Sequence, residues 1–225
     1  MKKDIVTLCA VAIALSGCAS SNSYLAKRTS TVEMYHIFDI KTTASTSDVI
    51  KAAADGLAQN TNDIQQTTPL QMGKTVPEEP GRFVLDDVGA KLASQNNGLG
   101  AMMQMAAAQQ GGMTMKAARC EGAVWTSRAQ RTISGSSNLN LYSCLYKYKA
   151  GYQLDTYAVF NKVEGGLYQI SRDIASSMVG TPEQWVNKTI VDTVQSIERA
   201  TGTRVVHLEG QPELSGMPTG ALVRN

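Results

Sequence analysis

Apolar and polar residues alternate along Val32–Lys41. Val32, Met34, His36, Phe38 and Ile40 fall on one face, and Glu33, Tyr35, Ile37, Asp39 and Lys41 on the other. That period of two predicts a strand with one buried face. The period then changes. Ser45, with Asp48 three residues on, has the form of a capping box. Val49, Ile50, Ala53, Ala54, Leu57 and Ala58 form a helical stripe that ends at Asn60-Thr61-Asn62. A strand followed at once by an amphipathic helix calls for the helix to pack on the sheet.

The pattern weakens over residues 61–118. Thr67-Thr68-Pro69 and Pro77-Glu78-Glu79-Pro80-Gly81 are loop chemistry, and Phe83-Val84-Leu85 reads as a short strand leading into a short helix that ends near Ser94. Gln95–Gly112 is rich in Asn, Gln, Gly, Ala and Met. Met102, Met103 and Met105 could mark an adaptable binding surface, but low complexity favours a weakly ordered insert over 95–118.

Arg119–Arg128, Ser137–Lys149 and Tyr152–Val163 read as successive strands, and Leu167–Ile174 as a further one after Gly165-Gly166. A turn at Ala150-Gly151 sets Lys149 opposite Tyr152. A cross-strand bridge between Cys120 and Cys144 sets Trp125 opposite Leu139, Ala123 opposite Leu141 and Arg128 opposite Ser136. Leu139, Leu141 and Leu145 then share one face, while Tyr142, Cys144, Tyr146 and Tyr148 lie on the other with Tyr157. Thr181-Pro182-Glu183-Gln184 opens a helix with a Thr cap, Pro at the first position and Gln at the third. Its stripe is Val186, Thr189, Ile190, Val194 and Ile197, and Gly202 stops it. Val205–Leu208 is a last short strand, and residues 209–225, with two prolines, a loose tail. The fold class expected is α+β: an antiparallel meander of three to five strands with amphipathic helices on its leucine face.

Upstream of the alternating segment lies a different signal. Lys2 and Lys3 precede an apolar run from Ile5 to Leu15, about half the length that spans a bilayer. The run ends in Leu15-Ser16-Gly17-Cys18, followed by Ala19-Ser20-Ser21. Over residues 1–21 this resembles the lipobox signal peptide of bacterial lipoproteins. The resemblance implies cleavage before Cys18, thioether-linked diacylglycerol on Cys18, and an acyl chain such as palmitate on its amine. Several chains together anchor firmly, each buried CH₂ contributing about 0.8 kcal/mol. Ala19, where the family uses Asp for inner-membrane retention, implies sorting to the outer membrane, with the domain facing the periplasm and surface exposure also open. Residues 18–30, rich in Ser, Asn and Thr, then form a flexible tether, and 31–208 a single domain.

The chain has 225 residues, with 21 Lys and Arg against 19 Asp and Glu. Near-neutral charge without a basic run argues against a nucleic-acid partner. Loss of the leader removes Cys9 and leaves Cys18, Cys120 and Cys144. In an exported chain, the last two are expected to close a disulfide.

Catalytic chemistry finds little material. His36 and His207 are the two histidines, and His36 sits among apolar strand positions, as a core histidine does. There is no Cys-x-x-Cys and no helical His pair for a metal. The glycine doublets lack the form of phosphate loops, and Asp86-Asp87 and Glu78-Glu79 diverge as neighbours do. Asn187-Lys188-Thr189 matches a glycosylation triplet but falls within a helix. The expectation is therefore a non-enzymatic module without a cofactor, held to the membrane through Cys18 and serving an envelope protein assembly. The sheet-then-long-helix order is similar to helix-grip modules of envelope accessory lipoproteins, an analogy of architecture without a sequence motif. Tyr142, Tyr146, Tyr148 and Tyr157 are the candidate interaction surface, unless another segment covers them as a second core. An alternative is a binder of an apolar or lipid-like ligand between sheet and helix, lined by Leu141, Leu145, Phe160 and Ile190; a hydrolase ranks last.

Overall fold

The computed structural model describes residues 28–71, 75–87, 116–131, 139–164 and 180–214. The segment read as a leader, Cys18, the methionine cluster, the short helix expected near Ser94 and the strand expected at Leu167–Ile174 lie outside them. The described elements are β1 (Arg28–Ile40), α1 (Thr46–Ala58), β2 (Ile64–Thr67), β3 (Val84–Asp87), β4 (Lys116–Arg119), β5 (Trp125–Arg131), β6 (Leu139–Tyr148), β7 (Gly151–Glu164), α2 (Pro182–Thr201) and β8 (Val206–Gln211). They form an α+β fold. A six-stranded sheet has the order β2-β5-β6-β7-β1-β8, every pairing antiparallel, and β3 and β4 make a separate two-stranded ribbon. The sheet therefore has more strands than the three to five expected. β2 was hidden in the weak middle of the chain.

β1 is the long spine, and it begins at Arg28, inside the segment read as tether. Its alternation is the reason it forms: Met34, His36, Phe38 and Ile40 are all buried on one face. In α1, Ser45 Oγ accepts from the Asp48 N–H at 3.2 Å and donates to Asp48 Oδ2 at 2.6 Å, so half of the capping box is present. The buried stripe is Val49, Ala52, Ala53, Gly56 and Leu57; Ala58, assigned to the stripe by its spacing, is exposed. In α2 the box is complete, with Thr181 and Gln184 exchanging side-chain and backbone bonds and Pro182 inside the first turn. Gly202 caps its end.

The two helices meet closely. A Cβ at Gly56 would lie 2.5 Å from Thr193 Cα and 3.0 Å from the Asp192 carbonyl oxygen. Thr189 and Thr193 are buried there, and their hydroxyls return to the carbonyls of Trp185 and Thr189, each at 2.7 Å. Residues of both helices share one apolar cluster with Phe38, Trp125, Leu141 and Phe160 from the sheet.

Both expected registers need correction. The β6–β7 turn is Lys149-Ala150, and Tyr148 faces Gly151. Gly151 is used inside the strand because β1 comes too close for a side chain: a Cβ there would collide with the Ile40 carbonyl and lie 2.9 Å from Thr42 N. The two-residue shift leaves every side chain on its expected face. The strand expected over Arg119–Arg128 is broken by a turn at Glu121-Gly122, where Gly122 has φ 77°. β4 pairs with β3 before the break, and β5 pairs with β6 after it, setting Trp125 opposite Leu145 and Ala129 opposite Leu141. That is six residues from the register based on the cysteines. Cys144 faces Thr126, and Cys120 reaches it from the turn and not from a neighbouring strand.

β8 runs to Gln211, three residues into the segment expected to be loose tail. It adds to β1 with an irregularity between Ile37 and Phe38.

Candidate functional site

Alternation places Tyr142, Tyr146, Tyr148 and Tyr157 on the sheet face opposite the leucines. This face does not stand open as one surface. Tyr146 and Tyr157 are buried, while Tyr142 and Tyr148 are half-buried. The cover is the segment 75–87 that leads into β3. The Pro77 carbonyl accepts from the Lys149 N–H at 2.9 Å, and Glu78 pairs with the Lys149 ammonium. Gly81 then crosses Tyr146 so closely that a Cβ would lie 2.7 Å from the ring. The Phe83 ring sits 5.8 Å from that of Tyr157, centroid to centroid. Arg82 pairs with Glu209 of β8, and Lys116 of β4 bonds Glu33 of β1 at 2.7 Å.

The disulfide closes this arrangement. Cys120 and Cys144 lie at bonding distance with Cα atoms 5.6 Å apart, and they pack with Ala123, Tyr146 and Phe83 in a second small cluster. The bridge thus fixes the chain just after β4 to the sheet it has crossed.

At the centre of the covered face is a residue that the sequence did not single out. Asp155 of β7 is fully buried. Its Oδ2 accepts from the Phe83 N–H at 3.2 Å, and its Oδ1 from Gln153 Nε2 at 2.8 Å; the same amide nitrogen reaches the Gly81 carbonyl at 3.0 Å. Burial pushes its carboxyl up to about 6, while the bonds from Phe83 and Gln153 and the charge of Arg82 pull the other way. Burial alone would have marked this position as apolar, so no sequence period could have identified it. Tyr146, whose hydroxyl is buried without a hydrogen-bond partner among the described residues, is held firmly protonated by burial and by the charge of Asp155.

The remaining tyrosines act as donors. Tyr157 donates to Glu33 Oε2 at 2.9 Å and Tyr148 to Asp39 Oδ1, and burial together with these bonds raises both phenols. Tyr142 stacks against Tyr157 with centroids 6.3 Å apart, and the Arg128 guanidinium lies 5.8 Å from the centre of its ring. Arg128 and Gln130 both donate to Asn140 Oδ1 at 2.9 Å. Tyr142 and Tyr148 are therefore the half-buried tyrosines of this face, with the half-buried Arg128 beside Tyr142.

The apolar candidates Leu141, Leu145, Phe160 and Ile190 all belong to the main core cluster. Among the described residues no group of three or more His, Cys, Asp and Glu side chains converges as a metal site, and no helix is long and apolar enough to cross a membrane. No family model, curated protein or solved structure matches the chain.

Proposed function

We propose that the chain is an outer-membrane lipoprotein, anchored through lipid on Cys18, whose periplasmic α+β domain is a non-enzymatic interaction module of an envelope assembly. The observation that best supports this is the fate of the cysteines. With Cys18 taken by the lipobox, the two that remain in the mature chain lie at disulfide distance, and such bridges persist in oxidising compartments. Partner contact in this reading falls on the half-buried Tyr142 and Tyr148, with Arg128 beside Tyr142, because the covering segment already occupies Tyr146 and Tyr157.

Two measurements test it. Radiolabelled palmitate is expected to enter the wild-type chain and not Cys18→Ala, and equal labelling of both would overturn the anchor. Crosslinking in intact envelopes is expected to recover a protein partner, with recovery reduced in Tyr142→Ala. Recovery of none above background would remove the interaction role.

A further inference from the structure

The segment that crosses the tyrosine face runs in step with β7 and the turn before it. Its Pro77 carbonyl accepts from the Lys149 N–H, its Gly81 carbonyl from Gln153 Nε2, and its Phe83 N–H donates to Asp155 Oδ2. As the segment advances from residue 77 to 81 to 83, its partners advance from 149 to 153 to 155, in the same direction and at the same rise. Two of these bonds join the segment's backbone to side chains of the sheet. It is therefore held as an extended peptide in a groove and not as a strand in a ladder.

The groove also selects side chains. Gly81 is not among the described glycines with positive φ, so its backbone makes no demand for glycine. The floor does, because a Cβ there would lie 2.7 Å from the Tyr146 ring. Lys149 pairs with Glu78, and Glu209 with Arg82. Tyr157, backed by Tyr142, receives the Phe83 ring. The hold is nonetheless thin. Every residue from 75 to 87 is half-buried or exposed, whereas Tyr146, Gln153, Asp155 and Tyr157 beneath are all buried. Both ion pairs join exposed side chains, where such pairs contribute little.

We propose that the tyrosine face is a peptide-binding groove, now filled by the chain's own segment, that accepts in its place an extended segment of a partner protein with glycine, a basic residue and an aromatic residue in succession and an acidic residue three positions before the glycine. Gln153 and Asp155 read the incoming backbone, Tyr146 the glycine, and Tyr157 the aromatic ring. This rests on the interaction-module reading and not on the lipid anchor.

The probe is a fluorescein-labelled synthetic peptide with the sequence of Val76–Phe83, titrated with the full chain by anisotropy at neutral pH. Gly81→Ala in the chain drives its own segment off the Tyr146 ring and leaves the groove unaltered, so saturable binding of the peptide is expected. The wild-type chain should bind at least about tenfold more weakly, because its linked segment competes at a millimolar effective concentration. Peptides carrying Gly81→Ala or Phe83→Ala should lose at least about tenfold against the Gly81→Ala chain. Circular dichroism establishes that each chain is folded, and Phe83→Ala in the chain clears the groove equally if Gly81→Ala does not fold. No saturable binding to the cleared chain, equal binding by the wild type, or indifference to the peptide's glycine and phenylalanine overturns the groove. Such a failure leaves crosslinking through Tyr142 untouched, so the two readings fall separately.

Discussion

The Phe83 N–H donates to the buried carboxylate of Asp155 across 3.2 Å, joining the segment that crosses the tyrosine face to the middle of the sheet. The bond serves both partners. It satisfies a backbone donor under cover, and it gives a buried carboxylate one of the acceptor roles that ionisation requires.

Ionisation of Asp155 is nonetheless opposed by burial, which sets a direction for pH. A carboxyl raised to about 6 in the folded chain, against 3.8 ordinarily, binds its proton more tightly when folded. Its contribution to stability is therefore present at low pH and lost as pH rises from about 4 through 6. Asp155→Asn removes the charge and keeps an acceptor for Phe83, at the cost of turning an amide donor toward Gln153 Nε2. We expect the stability of the variant relative to the wild type to rise by up to about 3 kcal/mol between pH 4 and pH 7.5. Urea midpoints measured across that range check it; a difference independent of pH would contradict the burial argument.

The Cys120–Cys144 bridge closes a loop with a sequence separation of 24. In the chain-entropy model a loop of that size contributes roughly 3 kcal/mol by restricting the unfolded chain. Replacing both cysteines with alanine should lower unfolding stability by about 2–3 kcal/mol. It should also make residues 75–87 more readily cleaved by protease, because the anchor beyond β4 is gone. Unchanged cleavage would show that the ion pairs and Asp155 hold the segment by themselves.

Gly56 tests the helix contact. Gly56→Ala gains about 1 kcal/mol in helix propensity. Its Cβ, however, meets backbone atoms of α2 and not a side chain that can rotate away, and overpacking of that kind costs about 1–3 kcal/mol. The net expectation is a lower urea midpoint than wild type. A higher one would mean that the helices have room to separate.

What could be read from the chain differs from element to element. Thr181-Pro182-Glu183-Gln184 specified the start of α2 because a cap, a missing N–H and a returning amide all act within one turn. The faces of Leu139, Leu141 and Leu145 and of Tyr142, Tyr146, Tyr148 and Tyr157 were equally legible, since alternation survives any register shift of even length. The registers themselves were not. Gly151 looked like a turn residue and proved to be a point of close approach to Ile40, a fact held by β1, over a hundred residues away. The expected pair of Cys120 and Cys144 does lie at disulfide distance, but its use as a ladder constraint failed because the break at Gly122 separates Cys120 from β5.

The sequence by itself determined where α1 and α2 start and which side chains share a face, because these depend on local periodicity and capping. Only the tertiary structure decided that residues 75–87 lie over Tyr146 and Tyr157, that Asp155 is buried beneath them, and that His36 meets His207 beside Gly210. Those juxtapositions arise from pairing between strands distant in the chain, and a one-dimensional pattern carries no record of which distant strand a given edge will choose.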